Sequence, residues 1–169
     1  SADSAASTAE QSAADSVRIA IVQQMDHASL DQIRAAIEAE LDAQAAEQGI
    51  TIEYELFNGQ NDTTTLNQIG TQVVGDGYDA IIPIATLAAQ CMVNAAAETE
   101  TPVIYAAISD PATADLTDIS YVTGTSDYLD TEFIMEMMFT ANPDIQTVGL
   151  LYSNSEPNSE AAIAAARAY

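Results

Sequence analysis

Short runs of apolar, β-branched residues recur along this chain, each followed by a polar stretch and then by apolar residues at helical spacing. Residues 17–22 (Val-Arg-Ile-Ala-Ile-Val) form the first run and read as a buried strand. Leu30, Ile33, Ile37 and Leu41 then share one face of a helix that Ser29 or Asp31 can cap and Gly49 ends. Residues 51–57 alternate Ile52, Tyr54 and Leu56 with polar positions, as a half-buried strand does. A turn at 58–62 leads into a second helix over 63–74, which Gly75-Asp76-Gly77 breaks. A third strand is predicted at 78–84, an Ala-rich third helix at 86–98, and a fourth strand at 101–107 entered through Pro102. Two further strands are predicted at 119–123 and 148–152, around a helix at 131–140, and another helix opens at 160–169.

Strands alternating with helices at this spacing demand right-handed crossovers. The expected fold is therefore α/β, a parallel sheet with helices on both faces, flavodoxin-like or Rossmann-like. Ligands of such sheets bind in the crevice outside the carboxyl ends of the strands. Six polar segments fall at those ends: 23–27, 58–62, 85–90, 109–111, 123–127 and 153–159. Rich in Ser, Thr, Asn and Asp, they suit a small polar or zwitterionic ligand better than a catalyst.

The chemistry of these segments narrows the choice. No glycine follows the first strand in Gln23-Gln24-Met25-Asp26-His27, so the dinucleotide and P-loop fingerprints both fail and no cofactor is expected. Asp26, Asp110 and Asp127 can in principle surround Mg²⁺, as in a phosphorelay receiver. That family also needs paired acidic residues after the first strand and a late lysine, and this chain has no lysine. His27 has no nucleophile to serve and reads as a hydrogen-bonding loop residue. Thr86, opening a helix after a buried strand, offers a hydroxyl beside free backbone N–H groups, a ready carboxylate site. It can equally do no more than cap its own helix. Asp110 can pair with an ammonium group or simply hold a turn.

Charge excludes more. The 169 residues carry 26 acidic side chains against Arg18, Arg34 and Arg167, a formal net charge of -23. Nucleic acid is excluded as a partner and an anionic membrane surface disfavoured. A solvated acidic surface or a basic partner remains. Cys91 is the one cysteine, set in apolar residues 88–93, so it reads as an inert buried thiol and no intrachain disulfide can form. No apolar run approaches the length of a membrane span. Residues 1–16 have almost nothing to bury and predict a disordered tether. They lack the parts of a signal peptide; either a secretion or lipid-anchor signal was removed ahead of them, or the segment is an artificial addition.

Four blocks carry a family resemblance: residues 84–90 (Ile-Ala-Thr-Leu-Ala-Ala-Gln), 107–111 (Ala-Ile-Ser-Asp-Pro), 122–127 (Val-Thr-Gly-Thr-Ser-Asp) and 149–159 (Gly-Leu-Leu-Tyr-Ser-Asn-Ser-Glu-Pro-Asn-Ser). In this order the chain resembles the solute-binding proteins of tryptophan/tyrosine-type ABC importers, which have the type I periplasmic-binding-protein fold. The resemblance implies two hinged α/β lobes with an amino acid in the cleft. It divides the chain into the tether 1–16, a partial first lobe at 17–125 and the opening of a second lobe at 126–169, the N-terminal half of a binding protein. Thr86 and neighbouring amides would take the ligand carboxylate and Asp110 its ammonium group, with Ser155, Asn158 and Ser159 closing from the second lobe. Ala85, Ser109, His27, Asn61, Ser126 and Asp127 complete the candidate binding set, and Phe57, Tyr105 and Tyr128 are aromatic residues that can line the cleft. Leu87 stands where the family usually has proline, and Ala106 where it has a hydroxyl residue.

The function so implied is an extracytoplasmic receptor, anchored as a lipoprotein, that hands an amino acid to an ABC permease in the membrane. It is not an enzyme. The alternative is a flavodoxin-like enzyme or signalling domain using the same sheet edge. An incomplete second lobe also predicts weak ligand binding and self-association of this chain.

Overall fold

Strand β1 (Ser16–Gln23) is apolar on both faces because helices cover both: Ala20 and Val22 point to one layer, Ile19 and Ile21 to the other. The computed structural model describes residues 16–153 and 158–169. Among these, β1 pairs in parallel with β2 (Thr51–Asn58) on one side and β3 (Ala80–Ile84) on the other. The sheet continues through β4 (Val103–Ile108) to β5 (Val122–Ser126), giving the order β2-β1-β3-β4-β5. Helix α1 (Ala28–Gln48) lays Leu30, Ile33, Ile37 and Leu41 over Ile19, Ile21 and Ile84. Helices α2 (Thr63–Gly75) and α3 (Thr86–Ala95) cover the opposite face, where Leu66, Val73, Ile81, Met92 and Val103 are fully buried. Gly70 lets these two helices meet: a Cβ there would lie 2.7 Å from that of Ala95.

Strand order reverses between β1 and β3, so the loops leaving these two strands flank the crevice where open α/β sheets take ligands. Beyond the sheet, α4 (Thr131–Ala141) and α5 (Ser159–Ala168) pack on each other, with Phe139 and Tyr169 stacked at 5.9 Å.

Several predicted boundaries shift. Ser16 belongs to β1, paired with Thr51, rather than to a tether; the rest of the proposed tether, like Ser155, lies outside the described residues. Neither Ser29 nor Asp31 caps α1; the N-cap is His27, whose Nδ1 accepts from the Ser29 N–H at 3.2 Å. β3 starts at Ala80 because Tyr78 is drawn into the core edge-on to Phe57, its hydroxyl bonded to Glu55. Helix α3 gives way to a 3₁₀ turn at Ala96–Glu98. The fifth strand begins at Val122 because Ile119 closes a turn, its carbonyl accepting from the Val122 N–H at 3.0 Å. Residues 148–152 form no strand: no described strand lies beside them, and Leu151 is fully exposed.

Cys91 is buried, and desolvation raises its thiol pKa, as an inert core thiol requires. The acidic charge is left largely unneutralised. Arg34 and Glu38 form the ion pair seen among the described residues, at 3.1 Å, while Arg18 lies over the Tyr78 ring and donates to the Asp76 carbonyl. Like-charge repulsion then works against the compact state. The melting temperature should therefore climb as sodium chloride is raised towards about 1 M, where the screening length has shrunk to about 3 Å. A flat or falling curve in a thermal scan contradicts this.

Candidate ligand-binding cleft

The turn from β3 into α3 is made by a residue under strain. Ala85 has φ 78° and ψ 162°, a conformation almost confined to glycine, at a cost of about 1–3 kcal/mol. It is held there by its N–H, which donates to the Ala106 carbonyl at 3.0 Å. The consequence is a helix that starts abruptly at Thr86, with Ala85 as an N-cap that provides no side-chain acceptor. Thr86 thus does not cap its own helix. Of the first N–H groups, Leu87 donates to the Gln24 side chain at 3.0 Å, while those of Thr86 and Ala88 meet no acceptor among the described residues. The Thr86 side chain is 6% exposed, and its hydroxyl too is without a partner there.

Thr86 opens into a cleft of about 590 Å³. Ser109 and Asp110 flank it beyond β4, and Tyr128, Asn158 and Ser159 line it from the other side. The Asp110 carboxylate holds the next turn: Oδ1 accepts from the Ala112 and Thr113 N–H groups at 3.0 and 3.1 Å, and Oδ2 from the Thr113 hydroxyl at 2.6 Å. Those bonds, that of the Thr113 side chain foremost, lower its pKa and keep it charged. A carboxylate oxygen accepts two bonds, so Oδ2 retains a lone pair for a ligand donor. Asp130 and Glu132 also line the cleft, whereas no arginine does. An ammonium group is favoured by this field. A carboxylate finds only neutral donors there, among them those at the start of α3.

Other predicted residues lie elsewhere. His27 caps α1 and Asn61 sits in a left-handed turn with its Oδ1 accepting from Gln24 Nε2 at 2.8 Å; neither lines the cleft. Ala85, Ser126 and Asp127 do not line it either, Asp127 donating its N–H to the Ile108 carbonyl. Phe57 and Tyr105 pack against the core, and of the three aromatic residues singled out Tyr128 alone reaches the cleft, 74% exposed. Sequence reasoning missed Thr113, which holds Asp110, and Gln24, which is 3% exposed and tied to both Leu87 and Asn61. The signal for Gln24 was available: an amide immediately after a strand buried on both faces has to find partners.

The family model for ABC transporter substrate-binding proteins matches residues 18–169. The chain belongs to this family. A tyrosine-binding protein of Clostridioides difficile (strain R20291) is 33% identical over 147 residues, which are 84% of this chain and 42% of that protein. Among solved structures, a Streptococcus pneumoniae ABC domain in complex with L-Trp aligns with a TM-score of 0.81 and 32% identity, over 92% of this chain and 53% of its own. A ligand-free, open substrate-binding protein from Clostridioides difficile gives 0.71 and 30%, over 90% of this chain and 53% of its own. The chain therefore has the type I periplasmic-binding-protein fold, and it spans about half the length of the relatives it matches.

Two further results are expected of this chain. Ala85→Gly relieves the strained turn and should raise stability by about 1 kcal/mol in chemical denaturation, the strain released exceeding glycine's extra unfolded-state entropy; a loss of stability would mean that Ala85 is not strained. Asp62 caps α2 through the Thr65 N–H and hydroxyl, and these bonds lower its pKa below the ordinary 3.8. A depressed carboxylate contributes stability above its unfolded pKa and loses it as pH falls through the folded value. Asp62→Ala should therefore melt lower than the parent near neutral pH, the gap closing as the pH drops below 3.8.

Proposed function

We propose that the cleft binds an amino acid, and that the protein is the receptor of an ABC importer. The observation that carries the reading is the pairing of two unlike half-sites across one cleft: the unpartnered N–H and hydroxyl of Thr86, and the charged Asp110. A zwitterion needs both. The relatives named for tyrosine binding or solved with L-Trp support an aromatic side chain, for which Tyr128 offers an exposed ring. Residues 17–125 form most of a first lobe in this reading and residues 126–169 the opening of a second, which brings Ser155, Asn158 and Ser159 over the ligand. Ser109 lines the wall, while Ala85, Ser126, Asp127, His27 and Asn61 act at a distance. The ligand is passed unchanged to a membrane permease, so no catalysis is required. Such receptors work outside the cytoplasmic membrane, and among the described residues no helix is long and apolar enough to cross one. A lipid anchor ahead of residues 1–16 fits this placement.

Calorimetric titration of the twenty amino acids against a form extended to the length of its relatives tests the reading. A small set of L-amino acids, aromatic ones tightest, should bind one to one. A natively purified protein that carries a flavin or nucleotide instead, with no amino-acid heat, overturns it.

A further inference from the structure

Gln24 leaves β1 at the point where strand order reverses, and it ties the segment after β2 and the start of α3 to the end of β1. Its backbone N–H donates to the Ile84 carbonyl at 3.2 Å, and its carbonyl accepts from the Asn61 N–H at 2.8 Å. Its side-chain Nε2 donates to Asn61 Oδ1 at 2.8 Å, which turns Oε1 towards α3, where it accepts from the Leu87 N–H at 3.0 Å. The residue is 3% exposed, so this amide cannot exchange its partners for water. One N–H of the first helical turn is thereby consumed, and that of Thr86, which lines the cleft, is left without an acceptor among the described residues.

We propose that Gln24 is a positioning residue for the ligand carboxylate: by holding the Leu87 N–H it fixes the strained Ala85 turn and aims the Thr86 donors into the cleft. The inference rests on the reading of that cleft as an amino-acid site. It also gives Asn61 a role, since an acceptor at Asn61 sets which way the Gln24 amide faces. A neutral amide suits this position, because a carboxylate would also accept from Leu87 but would repel an anionic ligand at the next N–H.

Amide NMR spectra of this 169-residue chain, titrated with L-tryptophan and with L-tryptophanamide, test the proposal on the parent, Gln24→Leu and Gln24→Glu. In the parent, the Thr86 amide should shift with L-tryptophan and hardly with L-tryptophanamide, which lacks the carboxylate. Gln24→Leu removes the acceptor, so the Leu87 amide should exchange at least about tenfold faster, and the L-tryptophan response should shrink. Gln24→Glu keeps the acceptor, Asn61 can turn its amide to donate, and the helix N-terminus tolerates the charge. Leu87 should then stay protected, while affinity for L-tryptophan falls about tenfold relative to L-tryptophanamide through like-charge repulsion. A purely structural Gln24 would weaken both ligands alike, which overturns the proposal. Unchanged Leu87 exchange in Gln24→Leu, with the parent responding normally, overturns the role of Gln24 alone. Parent amides that ignore L-tryptophan both in this chain and in a form extended to the length of its relatives overturn the carboxylate reading and with it any ligand role for Gln24.

Discussion

Asp110→Asn should weaken amino-acid binding by about a hundredfold or more in a form with both lobes, because it removes the charged partner of the ligand ammonium, while the melting temperature barely changes. The asparagine variant separates the two roles of Asp110, in the turn and towards the ligand. Its Oδ1 can still accept from the Ala112 and Thr113 N–H groups, since asparagine holds such turns as well as aspartate does. The Thr113 hydroxyl, which donates to Oδ2 at 2.6 Å, can rotate to accept from an amide instead. Only the charge is lost. Asp110→Ala is the less informative change, because three hydrogen bonds of the 110–113 turn go with it and the fold should melt earlier. Calorimetry and thermal melting on the same samples check the pair of expectations. Binding that survives Asp110→Asn within a few-fold would make Asp110 a turn residue that merely borders the cleft.

Asp110 illustrates what could be read from the chain and what could not. Its place just past a strand marked it as a site residue, but the grip of Thr113 depends on a turn that no periodicity records. The sheet was legible because β1 and β2 obey simple patterns: a continuous apolar run where helices cover both faces, alternation where one face is open. β5 was misplaced by three residues because Ile119 and Tyr121, apolar and strand-like, are spent on a turn and on the core, while the true strand (Val-Thr-Gly-Thr-Ser) is a largely exposed edge. Its Gly124 is required by close approach, since a Cβ there would overlap the Tyr105 carbonyl and ring. The start of α3 was recognised as a donor site, yet its strained geometry was hidden, because alanine gives no hint of a positive φ. Gln24 itself carried a signal, but its partners were hidden for a different reason: they lie 37 and 63 residues away, and only the parallel register of β1 with β2 and β3 brings them together.

Amide protons of α4 and α5 should exchange at least about a hundredfold faster than those of β1 and β3 in this 169-residue chain, reflecting a difference in local stability rather than in solvent contact alone. Helices of 11 and 10 residues are marginal in water unless an apolar face is buried. Here α4 buries Met135 but leaves Phe133 54% and Met137 49% exposed, and no residue of α5 is buried. Their mutual contact through Phe139 and Tyr169 is small beside the packing of α2 and α3 on the sheet. The strand predicted at 148–152, which would have given them a surface to pack on, has no partner among the described residues. Two consequences follow for binding and for association. Asn158 and Ser159 rest on a helix too loosely held to fix them over Thr86 and Asp110, so amino acids should bind this chain far more weakly than an extended form. The exposed residues of α4, with Leu151 and Tyr128, form the kind of apolar surface that drives self-association. Sedimentation velocity should show species heavier than a monomer as concentration rises. A clean monomer with α4 and α5 as protected as the sheet would mean that residues 126–169 are stable on their own, and the expectation of weak binding would fall with it.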